Sequence, residues 1–223
     1  MRSLPLARDG YPLIGAALGA TLVAVLGAFA TSGAVAGALV AIALLLAVAT
    51  AFLINFFRDP ERTPPLDPGL FVSPADGRVL LAEGSVEEPR FLHARAAKIS
   101  IFMSPVDVHV NRAPMAGAVT AVHYKPGQYR AAFSDKSSLD NEQNAIVMRT
   151  AEGRALVFVQ IAGFLARRIV CRVRADDRVE LGQRVGMIKL GSRVDIFVAG
   201  DVTLRVRPGD RVRAGETVLG ELR

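Results

Sequence analysis

Asp177-Arg-Val-Glu-Leu-Gly-Gln-Arg-Val185 and Asp210-Arg-Val-Arg-Ala-Gly-Glu-Thr-Val218 follow one template, a turn, a short strand, then Gly-x-x-Val leading into a second strand. A fainter echo joins Pro74-Ala-Asp-Gly-Arg-Val79 to Pro114-Met-Ala-Gly-Ala-Val119. Each copy reads as a turn-then-strand unit. Between and beyond them, apolar β-type runs recur amid Gly, Pro and Asp: 77–84 (GRVLLAEG), 96–103 (AAKISIFM), 107–112 (DVHVNR), 117–124 (GAVTAVHY), 145–150 (AIVMRT), 155–163 (ALVFVQIAG) and 168–173 (RIVCRV). Helix-period patterning is absent there. The spacing predicts a mainly β, compact barrel-sandwich-like domain built partly from half-repeats. The polar stretch 133–144 (FSDKSSLDNEQN) lacks an apolar stripe and reads as a loop with one turn of helix.

The two longer repeats resemble the half-repeats of lipoyl and biotinyl carrier domains. That likeness raises one alternative function, a non-enzymatic membrane-anchored carrier or adaptor. A carrier needs a modifiable lysine at a hairpin tip, and Lys189, the nearest candidate, lacks the usual flanking residues.

Upstream of the β domain the composition changes. No charged side chain occurs between Asp9 and Arg58, and the run is almost wholly Ala, Leu, Val, Gly, Ile and Phe. One membrane span takes about 20 apolar residues, so this length suits two. Ala30-Thr-Ser-Gly33 supplies the turn, which predicts an N-terminal two-helix transmembrane hairpin at roughly 11–30 and 34–55. A cleaved signal peptide would have a shorter apolar region and a processing site. Arg2 and Arg8 precede the first span, Arg58 and Arg62 follow the second, and the turn is uncharged. The positive-inside rule therefore expects both ends in the cytoplasm, with the protein in the cell membrane. The division of the chain is 1–58 for the anchor and 59–223 for the β domain, opened by the proline-rich linker Asp59-Pro-Glu-Arg-Thr-Pro-Pro-Leu-Asp-Pro-Gly69. Cys171 is the only cysteine, so no intrachain disulfide can form. A net charge of +6 without a basic, aromatic-interleaved tract argues against nucleic acid as a partner.

The chemistry-bearing candidates are few. Lys189-Leu-Gly-Ser-Arg-Val-Asp195 lies between two strand-like runs, and Gly-Ser is ordinary turn vocabulary. A strained backbone at Gly191 would instead expose its carbonyl to the Ser192 hydroxyl, exchanging amide for ester. Elimination would then split the chain, leaving a carboxylate on Gly191 and a dehydroalanine that hydrolyses to a pyruvoyl group at 192. Serine needs a base for such a step. Of three histidines, His109 sits in Asp107-Val-His-Val-Asn111, where strand alternation would put Asp107, His109 and Asn111 on one face and let a carboxylate orient the imidazole. His93 and His123 read as surface or satisfied histidines. Asp76 reads as a turn residue before Gly77 that would have to reach across the fold to act.

Taken in order, Asn55-Phe-Phe-Arg-Asp-Pro60, Ser73-Pro-Ala-Asp-Gly-Arg-Val79, Phe102-Met-Ser-Pro-Val-Asp-Val-His-Val-Asn-Arg-Ala-Pro114, Asn141-Glu-Gln-Asn144, Gln160-Ile-Ala-Gly163 and Leu190-Gly-Ser192 resemble the phosphatidylserine decarboxylase family, most closely its short bacterial and archaeal form. The resemblance implies a proenzyme cut at Gly191-Ser192 into a β chain, 1–191, and an α chain, 192–223, held together as a heterodimer, with higher oligomers left open. It implies a covalent pyruvoyl group from Ser192 as cofactor, with neither metal nor pyridoxal phosphate. That ketone would form a Schiff base with phosphatidylserine, lose carbon dioxide and release phosphatidylethanolamine. In longer relatives an Asp-His-Ser triad is associated with self-cleavage. Asp76 falls on the Asp of Ala-Asp-Gly, Ser192 on the cleaved serine, and His109 on the first histidine of Asp-x-His-x-x-His, so these three are the implied catalytic residues. Arg112 stands where the second histidine would be, and Arg193 where those relatives carry Thr. The base for self-cleavage is thus open, with His109 a candidate for both steps. A pyruvoyl enzyme acting on a soluble amino acid is a further alternative that the membrane anchor disfavours.

Overall fold

The computed structural model describes residues 5–67, 69–128, 140–163, 168–189 and 191–222. Most of the polar 133–144 stretch therefore lies outside the described residues. The chain forms two compact units, 1–61 and 62–223.

In the first unit, α1 (Tyr11–Ala30) and α2 (Gly33–Phe56) are separated only by Thr31 and Ser32. Both are long and apolar enough to cross a membrane. Leu22, Val23, Phe29, Leu45 and Val48 all face outward, an arrangement that suits lipid rather than water. The few hydroxyls are satisfied locally, Thr21 Oγ1 donating to the Ala17 carbonyl at 2.8 Å and Thr50 Oγ1 to that of Leu46 at 2.7 Å. Arg58 caps the end of α2 by donating to the Asn55 carbonyl (2.7 Å) and side-chain oxygen (2.9 Å). The two ends of the hairpin are tied together where Ala7 N donates to Phe57 O (2.8 Å) and Asp59 N to Pro5 O (2.7 Å).

The second unit is mainly β. Its principal sheet contains β2 (Gly77–Glu88), β3 (Ala94–Met103), β5 (Gly117–Lys125), β6 (Gln143–Arg149), β7 (Ala155–Ala162), β9 (Arg178–Val179), β11 (Ser192–Ala199) and β13 (Arg211–Val212). The order is β13-β2-β3-β11-β7-β6-β5-β9, and every pairing is antiparallel. This sheet curls into a half-barrel. Two three-stranded sheets complete the unit: β4 (Val110–Arg112), β10 (Arg184–Ile188) and β8 (Ile169–Cys171) in the order β4-β10-β8, and β1 (Leu70–Val72), β14 (Val218–Leu222) and β12 (Val202–Leu204) in the order β1-β14-β12.

The sequence echoes become equivalent hydrogen bonds. Val79 N donates to Asp210 O (2.9 Å) and Val119 N to Asp177 O (2.8 Å); Gly215 N donates to Ser73 O (2.8 Å) and Gly182 N to Ala113 O (2.9 Å). Each member of the Pro74/Pro114 pair thus docks on one member of the Asp177/Asp210 pair. The repeats place β9 and β13 at opposite edges of the large sheet, and β10 and β14 at the centres of the small ones.

Strand alternation sorts the side chains. Val194, Ile196 and Val198 of β11 join Ile99, Ile101, Leu156, Phe158, Ile146 and Met148 in the main core, while Phe197 faces the other way with Ala96, Ala145, Val157, Val159 and Ile161. Toward one end of the inner face this apolar lining gives way to polar side chains, and the candidate site begins there.

Candidate active site

Ser192 opens β11, the strand flanked by β3 and β7, and stands opposite Met103, which ends β3, and Ala162, which ends β7. It is fully buried. Among the described residues its hydroxyl has one partner, the Met103 sulfur at 3.3 Å, and a thioether is a weak acceptor. Gly191, immediately before it, has φ +60°. A Cβ there would meet nothing within 4 Å, so glycine is required by the left-handed backbone and not by lack of space. The Gly191-Ser192 link therefore combines an unusual backbone on its acyl side with a weakly engaged hydroxyl on the other.

A chain of side-chain amides leads to the same sulfur. Asn144 Nδ2 donates to Gln160 Oε1 (2.9 Å), Gln160 Nε2 donates to Asn111 Oδ1 (2.9 Å), and Asn111 Nδ2 donates to Pro74 O (3.4 Å) and approaches Met103 Sδ (3.7 Å). All three amides are buried. Since the Gln160 and Asn111 carbonyls are each taken by the preceding amide, the relay fixes which end of Asn111 points toward Met103. Gly186 of β10 permits the close approach: a Cβ there would stand 2.2 Å from Val170 O and 3.1 Å from Gln160 Nε2. The block Asn141–Asn144 also secures the end of β7, Asn141 Nδ2 donating to Ala162 O (2.7 Å) while Ala162 N donates to Glu142 O (2.9 Å). Met103, Asn111, Asn144 and Gln160 were not singled out by sequence reasoning as site residues. Their signal was a polar or soft side chain in an otherwise apolar strand.

His109 is buried, and the residue facing it across the small sheet is Ile188, whose N–H donates to the His109 carbonyl at 3.4 Å. Strand β4 begins only at Val110, so Asp107, His109 and Asn111 do not share a strand face as alternation predicted. The reason is a turn at 105–107: Asp107 Oδ2 accepts from Ser104 N (2.8 Å) and Ser104 Oγ (2.7 Å), and Oδ1 accepts from Arg211 (3.3 Å). Asp107 still orients the imidazole, through its backbone carbonyl 2.9 Å from Nδ1. A carbonyl can only accept, so Nδ1 carries the proton and neutral His109 presents Nε2 as the basic nitrogen.

Both oxygens of the Asp76 carboxylate are engaged. Oδ2 accepts from Arg62 (2.8 Å) and Oδ1 from Ala214 N (2.7 Å), while Arg62 also pairs with Glu216 at 2.8 Å. Its turn is the one whose Pro74 carbonyl receives Asn111 and, at 3.0 Å, Arg112 N. In the repeat, Asp76 corresponds to Ala116, so the carboxylate is an addition to the template. Arg112 Nη1 donates to Gly182 O at 2.9 Å. Arg193 turns to the opposite face of β11 from Ser192, forming a buried ion pair with Asp195 (2.5 Å) and donating to Ser100 Oγ (2.8 Å). His93 is exposed, and the exposed His123 ring packs on Phe91 with centroids 5.5 Å apart. Among the described residues no group of three or more His, Cys, Asp or Glu side chains is arranged to hold a metal.

The family model for phosphatidylserine decarboxylase matches residues 49–220. The phosphatidylserine decarboxylase proenzyme of Desulfotalea psychrophila is 44% identical over 98% of this chain and 97% of its own length, and that of Symbiobacterium thermophilum 44% identical over 100% and 98%. The proenzyme of Salinibacter ruber is 48% identical over 77% of this chain and 76% of its own length.

Proposed function

Because the chain belongs to the phosphatidylserine decarboxylase family, whose members are carboxy-lyases, we propose that it decarboxylates phosphatidylserine to phosphatidylethanolamine after cutting itself between Gly191 and Ser192. The observation that carries the self-cleavage is the pairing of a left-handed Gly191 with a buried Ser192 hydroxyl whose one hydrogen-bond partner among the described residues is a thioether. Ser192 Oγ attacks the Gly191 carbonyl carbon, the peptide C–N bond breaks, and an ester links the two residues. Removal of the Ser192 α-proton then breaks the Cβ–Oγ bond, leaving a carboxylate on Gly191 and a dehydroalanine. Water hydrolyses its imine tautomer with loss of ammonia, and residue 192 becomes a pyruvoyl group.

The residues around position 192 fit such a group: it would be buried between Met103 and Ala162, with the Asn111 amide, oriented by Gln160 and Asn144, on the Met103 sulfur that position 192 also meets. When formed, the ketone supplies an electrophilic carbonyl that takes up the substrate amine and draws electrons from the bond to the carboxylate. His109, with Nδ1–H held by Asp107 O, is the proposed proton carrier, exchanging a proton at Nε2 during self-cleavage and returning one to the substrate α-carbon. Asp76 acts by position, bracing through Arg62 and Ala214 the turn that holds Asn111 and Arg112. The cut yields a β chain of residues 1–191 and an α chain of 192–223, associated as a heterodimer. The 1–58 segment anchors the catalytic domain, 59–223, on the cytoplasmic face of the cell membrane, where the substrate resides.

Intact-mass measurement tests the reading. Wild-type protein should give two chains, the smaller starting at residue 192 with a carbonyl-bearing, blocked N-terminus, and Ser192→Ala should give one full-length chain inactive on phosphatidylserine vesicles. Two fragments from Ser192→Ala would sink the proposed cleavage. Turnover of free serine in place of the lipid would overturn the substrate.

A further inference from the structure

Resting on the reading above, we infer that Glu142 receives the substrate's ammonium group and takes its proton, freeing the nitrogen to attack the carbonyl carbon derived from Ser192. Glu142 is 4% exposed. Its Oε1 accepts from Tyr124 Oη at 3.2 Å, whereas among the described residues its buried Oε2 has no hydrogen-bond donor. A buried carboxylate oxygen without a donor is costly, and nothing in the folding of the sheet requires one. An ammonium ion would supply a donor to that oxygen together with the opposite charge.

The register aims this carboxylate at the reaction centre. Gln143 pairs with Ile161, and Ala162 N donates to Glu142 O, so Glu142 lies beside Ala162 on one side while Ser192 pairs with Ala162 on the other. Asn144 and Tyr124 are cross-strand partners, Asn144 reaches Gln160 on the inner face, and Glu142 meets Tyr124, so Glu142 and Ser192 project to the same inner face. Met103, Ser192, Ala162 and Glu142 form one row across four strands. Two strand spacings separate the backbones of Ser192 and Glu142, about 10 Å, and only the methyl group of Ala162 stands between their side chains.

The chemistry needs such a group. An aliphatic primary amine is protonated near neutral pH and has no lone pair to offer. The N–H bond to the transferred proton breaks, its electron pair stays on nitrogen and the proton passes to Glu142 Oε2. The nitrogen pair then forms the new bond to the carbonyl carbon as the C=O π pair moves to oxygen, which gains a second proton from the nitrogen and the one held by Glu142 and leaves as water. His109, held by Asp107 O just before β4, remains available for the α-carbon.

The test uses the full chain in detergent and reads the mass of the 192–223 chain. Phosphatidylserine is trapped on it by cyanoborohydride, and in parallel the chain is treated with hydroxylamine, a nucleophile already unprotonated at neutral pH. Glu142→Gln should cut itself and react with hydroxylamine at the wild-type rate, while trapping of phosphatidylserine slows at least tenfold. Unchanged trapping overturns the inference, and so does an equal slowing with both nucleophiles, which would mark a merely structural role. Should Glu142→Gln fail to mature, Glu142→Asp keeps the charge but draws it back by one methylene, and the same selective slowing is expected. A wild-type chain that is uncut or forms no hydroxylamine adduct would instead remove the pyruvoyl reading itself.

Discussion

The smallest structural decisions concern single protons and single dihedral angles. His109 is polarised by the Asp107 carbonyl on Nδ1, which leaves Nε2 as the only nitrogen able to accept a proton in the neutral ring. His109→Ala should therefore lower the rate of lipid decarboxylation by roughly 10²–10⁴-fold with KM little changed, measured on the fraction of enzyme that has matured. Normal turnover would exclude it from the site. Gly191→Ala poses a different question, because its Cβ meets no atom within 4 Å yet φ is +60°. The left-handed backbone costs a residue with a side chain about 1–3 kcal/mol. The variant should fold and cut itself more slowly, as followed by the loss of full-length chain with time. Cleavage at the wild-type rate would show that the conformation at 191 does not prime the bond.

At the scale of elements, β11 serves two environments at once. Its inner face carries Ser192 and the main core, and its outer face carries the Arg193–Asp195 pair, with side chains 4% and 2% exposed. Removing one partner strands a buried charge, so Asp195→Ala should cost about 3–5 kcal/mol, whereas replacing both residues by apolar ones of similar volume should be near neutral. Thermal melting of the solubilised protein distinguishes the two outcomes. This pair also accounts for Arg193 after Gly-Ser, which sequence alone could register only as a departure from longer relatives. The strand runs were legible because alternation and Gly, Pro and Asp breakers are local signals, and the hairpin because its apolar length is. The turn at Asp107 was not, since Ser104 and Asp107 bond to each other and end the extended run that the pattern DVHVNR suggests. Nor was the polar cluster: Ser192 meets a sulfur 89 positions away, and Gln160 meets an amide 49 positions away, separations that carry no periodicity. The repeats around Asp177 and Asp210 told which turns were alike, but only the hydrogen bonds showed that each docks on a copy of the other echo.

For the molecule as a whole, the decisive fact is where the proposed cut falls in the topology. The segment after Gly191 supplies β11, an interior strand hydrogen-bonded along its length to β3 and β7, and also β12, β13 and β14, the last pairing with β1. Asp76, Arg62 and Glu216 add an ion-paired link between residues on either side of the cut. A sheet of this kind assembles most readily while one chain carries all its strands, because the tether keeps the small segment at an effective concentration that dilute free peptides do not match. Cutting after folding leaves every strand pairing in place, so the α and β chains should stay together through purification in mild detergent and separate only on denaturation. Refolding should then split by covalent state. The uncut Ser192→Ala chain should regain its structure at a rate independent of protein concentration, while the processed protein, diluted from denaturant, should refold at a rate that falls with concentration and fail when dilute. Circular dichroism over a tenfold range of protein concentration reads the difference, and concentration-independent refolding of the processed protein would mean that the large chain forms its sheet without β11.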